Sequence, residues 1–205
     1  MNEEMITSPK IPRRFKITKF FLYIVLIAAF CKTLLGITGT VYCIVSPESS
    51  SHVTLTDSGR CYMEDGLGFN QVPLEYLAMT EDDFPIENER LFIVSFYLLI
   101  TLTDSLPVLL ILIQACRLLK EISSCYTPFT EKTTKLIHSA GMIMLLKGAL
   151  GKLILQVLMT RINFHRLGFV NPYDLNWIVT GLLVLVLSDV FYKGCLLQQD
   201  ADETL

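Results

Sequence analysis

The chain has 205 residues, of which 52% are hydrophobic and 18% charged, with a net charge of −3. Soluble domains carry about 25% charged residues, so an ordinary soluble domain is a poor fit. The acidic balance, and the lack of a basic stripe interleaved with aromatics, argue against direct nucleic-acid binding.

Residues 1–19 form a basic tail with Lys10, Arg13, Arg14, Lys16 and Lys19, in which Pro9 and Pro12 oppose one regular helix. Residues 20–45 hold a single charge, Lys32. A bilayer core about 30 Å thick needs about 20 apolar residues as a helix, so this block is read as the first span. It is too long for the apolar part of a signal peptide, and no small-residue cleavage site follows it.

Residues 46–90 are polar, with ten acids against two bases and several Gly and Pro turn signals. They read as a small acidic cap, with one short helix expected over 72–79. Residues 91–116 form the second span, with Asp104 its only charge, and 117–136 a basic connector. The third span covers 137–159 and contains Lys147 and Lys152. Lys152 is expected to snorkel toward the outer face. In the connector 160–174, Asn171 is read as an N-cap with Pro172 at the first helical position. The fourth span covers 175–192, and 193–205 is a polar tail.

Lys and Arg set the orientation. The two tails and the middle connector hold ten of them, against four in the cap and the second connector. Both termini are therefore expected in the cytoplasm. The fold class is an all-α, multi-pass membrane protein of four spans with a small extracytoplasmic cap, in the cell membrane.

Lys32, Asp104 and Lys147 each fall near the middle of a span. A charge at mid-bilayer costs roughly 2.5–3.5 kcal/mol on insertion scales, so such groups face the bundle interior and pair. Small residues on the same helical faces, such as Gly36 beside Lys32 and Gly151 beside Lys147, allow close helix approach. An ion cluster is expected in which Asp104 holds Lys32, Lys147 or both. Interhelical glue and a proton- or ligand-linked switch both fit such a cluster. Two lysines against one acid leave a positive charge that invites an anion, water or a shifted lysine pKa.

Cys43 and Cys61 are the two cysteines expected to face outward, and an oxidising exterior makes them candidates for a disulfide, with two thiols as the alternative. His52, His138 and His165 are scattered without metal-ligand spacing. There is no nucleophile elbow, no H-E-x-x-H and no phosphate-cradling loop. The expectation is a non-enzymatic protein without cofactor or metal.

Two segments on the cytoplasmic side are distinctive. Before the third span, Pro128-Phe129 leads to Thr130, a candidate helix cap. After the fourth span come Phe191, Gly194, Leu197, Asp202 and Thr204, with Gly194 expected to end the span in a left-handed cap. In these positions, and in its order of spans, the chain resembles the small bacterial membrane proteins grouped as domain of unknown function 2975. Glu203 departs from the family pattern, which more often has Leu there.

Members of that family are often encoded beside a small helix-turn-helix regulator. The resemblance therefore implies a membrane component of a regulatory pair, with Pro128, Phe129, Phe191, Gly194 and Leu197 as candidates for docking a cytosolic partner. Helix capping and loop docking are the plainer role for the same residues. The leading expectation is a non-enzymatic sensor or regulator. The alternative is a small transporter, or a transporter accessory subunit, with Lys32, Asp104 and Lys147 lining its path.

Overall fold

A computed structural model describes residues 13–47, 52–56, 58–64, 69–124 and 130–203. The first span is one helix, α1 (Arg13–Val45). A three-stranded antiparallel sheet follows, in the order β1 (His52–Thr56), β2 (Arg60–Glu64), β3 (Phe69–Pro73). Val53, Cys61 and Met63 are buried, while His52, Arg60 and Glu64 stay exposed. This is the period-two pattern of strands with one covered face. Gly59, at φ 67°, takes the left-handed position in the β1–β2 turn and donates its N–H to Thr56 O at 2.9 Å. The short helix expected over 72–79 is a single turn, α2 (Leu74–Leu77), entered directly from β3.

The second span is α3 (Glu89–Ile100), a π-helical turn at Thr101–Ser105, and α4 (Leu106–Ser124). Asn88 starts it, its side chain accepting from Leu91 N at 2.8 Å. The third span has the same construction: α5 (Glu131–Leu146), a π turn at Lys147–Gly151, and α6 (Lys152–Phe164). Thr130 caps α5 as expected, its hydroxyl accepting from Thr133 N at 3.1 Å. The fourth span is α7 (Leu175–Glu203).

The spans are neighbours in chain order. Helix α1 packs on α3 and α4, α3 on α6, α4 on α5, and α5 on α7. Stretches Phe15–Val45, Glu89–Ser123, Glu131–Phe164 and Leu175–Ala201 are each long and apolar enough to cross a membrane. Many of their large apolar side chains, such as Ile27, Leu35, Leu110, Leu146, Leu183 and Val190, point outward from the bundle. Outward-facing leucines and valines over four helices are a lipid-facing surface. The protein is a multi-pass membrane protein.

The buried core lies at one end. Val53, Cys61, Met63, Leu74, Leu77 and Met79 of the cap pack against Phe92, Ile93, Phe96 and Leu99 of α3 and Leu155 and Met159 of α6. The cap is thus a built domain seated on the ends of spans two and three. Gln156, fully buried on α6, fastens it. Its amide nitrogen donates to Glu75 O at 2.9 Å, Tyr76 O at 3.2 Å and Val170 O at 3.0 Å, and its oxygen accepts from Val170 N at 3.0 Å. Arg166 adds an ion pair to Asp83 of the cap.

A buried polar group that loses its partner costs about 1–3 kcal/mol. Gln156→Leu would take a partner from three carbonyls and one N–H. The variant is expected to speed hydrogen exchange of the amides of residues 74–79 at least tenfold. Exchange in α5 and α7 should be unchanged.

Three sequence expectations are corrected. Gly194 does not end span four, because α7 runs on to Glu203. One interior glycine costs only about 1 kcal/mol against alanine, and the Leu, Gln and Ala residues after it are good helix formers. Asn171 is not the cap of α7. It sits at φ 46° in the connector, and Asp174 caps instead, its carboxylate accepting from Trp177 N at 3.4 Å. Spans two and three also extend past 91–116 and 137–159, to Glu89–Ser123 and Glu131–Phe164; span two gains mainly at its α4 end, and span three at both ends.

Candidate functional site

Asp104 holds both lysines. Its Oδ2 lies 2.8 Å from Lys32 Nζ, and its Oδ1 lies 2.8 Å from Lys147 Nζ. The Lys147 ammonium also stands over the Trp177 ring, 4.5 Å from its centroid, a distance at which the ring face attracts a cation. One line of contacts therefore joins all four spans: Lys32 on α1, Asp104 on span two, Lys147 on span three and Trp177 on α7. The two lysines are not equivalent. The Lys147 side chain is 8% exposed, whereas that of Lys32 is 63% exposed. Asp104 is thus chiefly the counter-ion of a buried cation, with Lys32 on the rim.

Both inner members sit on π turns, and the two turns pack on each other. A π turn inserts one residue into a helix and is frequent at functional sites. In span two, Leu106 N reaches back to Thr101 O. Pro107, which has no N–H, comes next. The carbonyl of Thr103 faces span three, so close that a Cβ added at Gly151 would lie 3.1 Å from it. On the other side, Asp174 N donates to Gly148 O at 2.9 Å, tying the start of α7 to the π turn of span three.

Each charge lies near the middle of its span, as expected: Lys32 in Phe15–Val45, Asp104 in Glu89–Ser123 and Lys147 in Glu131–Phe164. Lys32 lies about 13 residues from Lys19, Asp104 about 13 from Arg117 and Lys147 about 12 from Lys135. Each separation is roughly 18–20 Å at about 1.5 Å per residue. The three charges therefore share one plane.

Beside the cluster is a cavity of about 190 Å³. It is lined by Asp104, Lys147, Lys152, Asp174, Trp177 and, from the cap, Tyr76. Lys152 does not snorkel away but lines this cavity. Burial, and then the nearby Asp104 and Asp174 carboxylates, push the Tyr76 phenol above its ordinary value. It stays a neutral hydroxyl at physiological pH. On its other side, Lys32 borders a wider, mainly apolar groove of about 1000 Å³ between α1 and α3.

Asp104, Lys147 and Lys32 were legible in the sequence. Tyr76, Lys152 and Asp174 were not, because the fold alone brings the cap turn and the second connector down to the level of the π turns. Among the described residues no group of three or more His, Cys, Asp or Glu could hold a metal ion.

Cys43 and Cys61 are brought into one buried cluster, where both are present as thiols. Burial pushes the Cys61 thiol up to about 12. Thiol alkylation requires the thiolate. Maleimide at about pH 8 is therefore expected to leave Cys61 unmodified in the folded protein and to modify it after denaturation without reductant, as read by peptide mass spectrometry. A cystine between the two would leave both unmodified in the second step.

Pro128 and Phe129 lie outside the described residues. Phe191 and Gly194 are half-buried on α7, and Leu197 is exposed there. They lie within a continuous helix, not in a separate tail.

The family model described as "Protein of unknown function (DUF2975)" matches residues 69–205. The match takes in β3 and spans two, three and four, with Asp104, Lys147 and Trp177, and leaves out α1 with Lys32. No curated protein and no solved structure matches the chain. On a match over two-thirds of its length, the chain belongs to the DUF2975 family of proteins of unknown function.

Proposed function

We propose that this is a non-enzymatic sensor or regulatory component of a bacterial cell membrane, with both termini in the cytoplasm and a cytosolic partner of the helix-turn-helix type. The observation that carries the reading is the Asp104 contact line. It touches all four spans, and it borders a cavity whose lid includes Tyr76 of the outer cap. A change at the cap alters the field on Asp104 and Lys147. Their two π turns then offer each span a place to change register. The lysine and arginine bias supports the orientation, and the terminal part of α7 is the segment best placed to present that change to a partner.

The test is a mild cross-link in native membranes, followed by recovery through a tag on the N-terminal tail. Recovery of a small soluble helix-turn-helix protein, lost in Phe191→Ala, supports the reading. Recovery of the chain alone, or of a transporter subunit, overturns it.

The polar cavity favours one second reading, a small carrier or carrier subunit. In that case neutralising Asp104 abolishes uptake of a solute, whereas a sensor changes gene expression without flux.

A further inference from the structure

We infer that the groove between α1 and α3 is a binding site for a long-chain fatty acid, with its carboxylate at Lys32 and its chain running toward the cap. The charges of the cap cavity balance, with Lys147 and Lys152 against Asp104 and Asp174. Lys32 lies outside that cavity and is the charge left over. It shares the Asp104 carboxylate with the buried Lys147, and its side chain stays 63% exposed. Lys32 is also near the middle of its span, where an ammonium open to lipid is costly. An anion on its open side removes that cost. Among the described residues Lys32 is the sole charged group lining the groove. Asp104 is not part of the lining, and each of its oxygens already accepts from a lysine.

The rest of the groove suits an apolar chain. Its volume of about 1000 Å³ is at the upper end of the range of about 300–1,000 Å³ usual for small-molecule sites, which are apolar with a few fixed polar groups. Ile37 and Val41 of α1, Phe96 and Ile100 of α3, and Val72 of β3 line it. Lys32 and Val45, also in the lining, are about 13 residues apart, roughly 20 Å along the helix, which is room for one extended acyl chain. Thr101 lines the groove against Gly36, one helical turn from Lys32, and its hydroxyl has no hydrogen-bond partner among the described residues. A carboxylate on Lys32 has a second oxygen to offer that hydroxyl. A phospholipid fits less well, because its headgroup stays at the bilayer surface while Lys32 is near mid-span. A second copy docked by this face across a twofold axis would bring two Lys32 ammoniums together.

The test places the purified full chain in nanodiscs of phosphatidylcholine, which has no net charge, and uses radiolabelled palmitate as the probe. Binding above that to empty discs is expected to saturate. Lys32→Met is expected to weaken it about tenfold, and Lys32→Arg to retain it. Val41→Trp, which fills the groove and leaves the charge, is expected to weaken it as well. Palmityl alcohol, with the same chain and no charge, should compete about tenfold less well than palmitate. Equal binding in wild type and Lys32→Met, or equal competition by the alcohol, overturns the proposal. So does displacement of palmitate by phosphatidylglycerol built into the discs, which assigns the site to a phospholipid. Absence of saturable binding overturns it too, and cross-links from position 32 to a second copy would then assign the face to a dimer. No cytosolic partner is needed for the measurement, so fatty-acid binding and the regulatory reading stand or fall separately.

Discussion

Replacing Asp104 with Ala is expected to lower stability by about 3–5 kcal/mol, the range for leaving a buried charge without its partner. The stranded charge is Lys147, whose side chain is 8% exposed. A surface pair would be worth at most about 1 kcal/mol, so the size of the loss reports burial. Adding Lys147→Met to that variant removes the stranded ammonium and is expected to restore most of the stability. Lys32→Gln is expected to do much less, because it leaves the buried Asp104–Lys147 pair in place. Unfolding of the four proteins in the same detergent gives the comparison. A double variant no more stable than the single one would mean that Asp104 acts through something other than Lys147.

The second large effect is expected at the seam between spans three and four. A Cβ added at Gly181 of α7 would lie 2.7 Å from the backbone nitrogen of Leu145 and 3.1 Å from Gly141 O. Those neighbours are backbone atoms of a helix and cannot swing aside, so the helices must separate. Overpacking typically costs 1–3 kcal/mol. Gly181→Val, with two further methyl groups, is expected at or above about 3 kcal/mol. It should also weaken the cation–π contact by moving Trp177 away from Lys147, seen as a changed emission maximum of the sole tryptophan. Gly59→Ala is the contrast. Nothing lies within 4 Å of a Cβ there, and only the left-handed backbone at φ 67° opposes the substitution. Its cost is expected near 1 kcal/mol.

The four spans and their pairing charges were readable in the sequence for a simple reason. Lipid imposes length and apolarity on a helix, and a lone charge in such a helix demands a partner. The sheet was not readable. Its strands are five residues long, sit in an acidic segment, and show their alternation only at Val53 and Leu55 or Cys61 and Met63. Gln156 offered a signal that pattern alone does not interpret. It is a lone amide in an apolar run, and it became meaningful only when the cap carbonyls of Glu75 and Tyr76 were found on it. Gly194 and Asn171 show the opposite failure. Each has the residue type for a cap, but neighbouring helix formers carry α7 past the first, and Asp174 lies nearer the true helix start than the second.

In the proposed sensor, the Asp104–Lys147 pair transmits a state of the cap and is more than packing. The most direct test uses the paired variant Asp104→Asn with Lys147→Met, which removes opposite charges together and keeps the fold. Transcript profiles are compared among cells carrying the wild type, the paired variant at equal membrane level, and no protein. The paired variant is expected to reproduce the profile of cells lacking the protein. A wild-type profile at wild-type membrane level would contradict it and reduce the pair to interhelical glue.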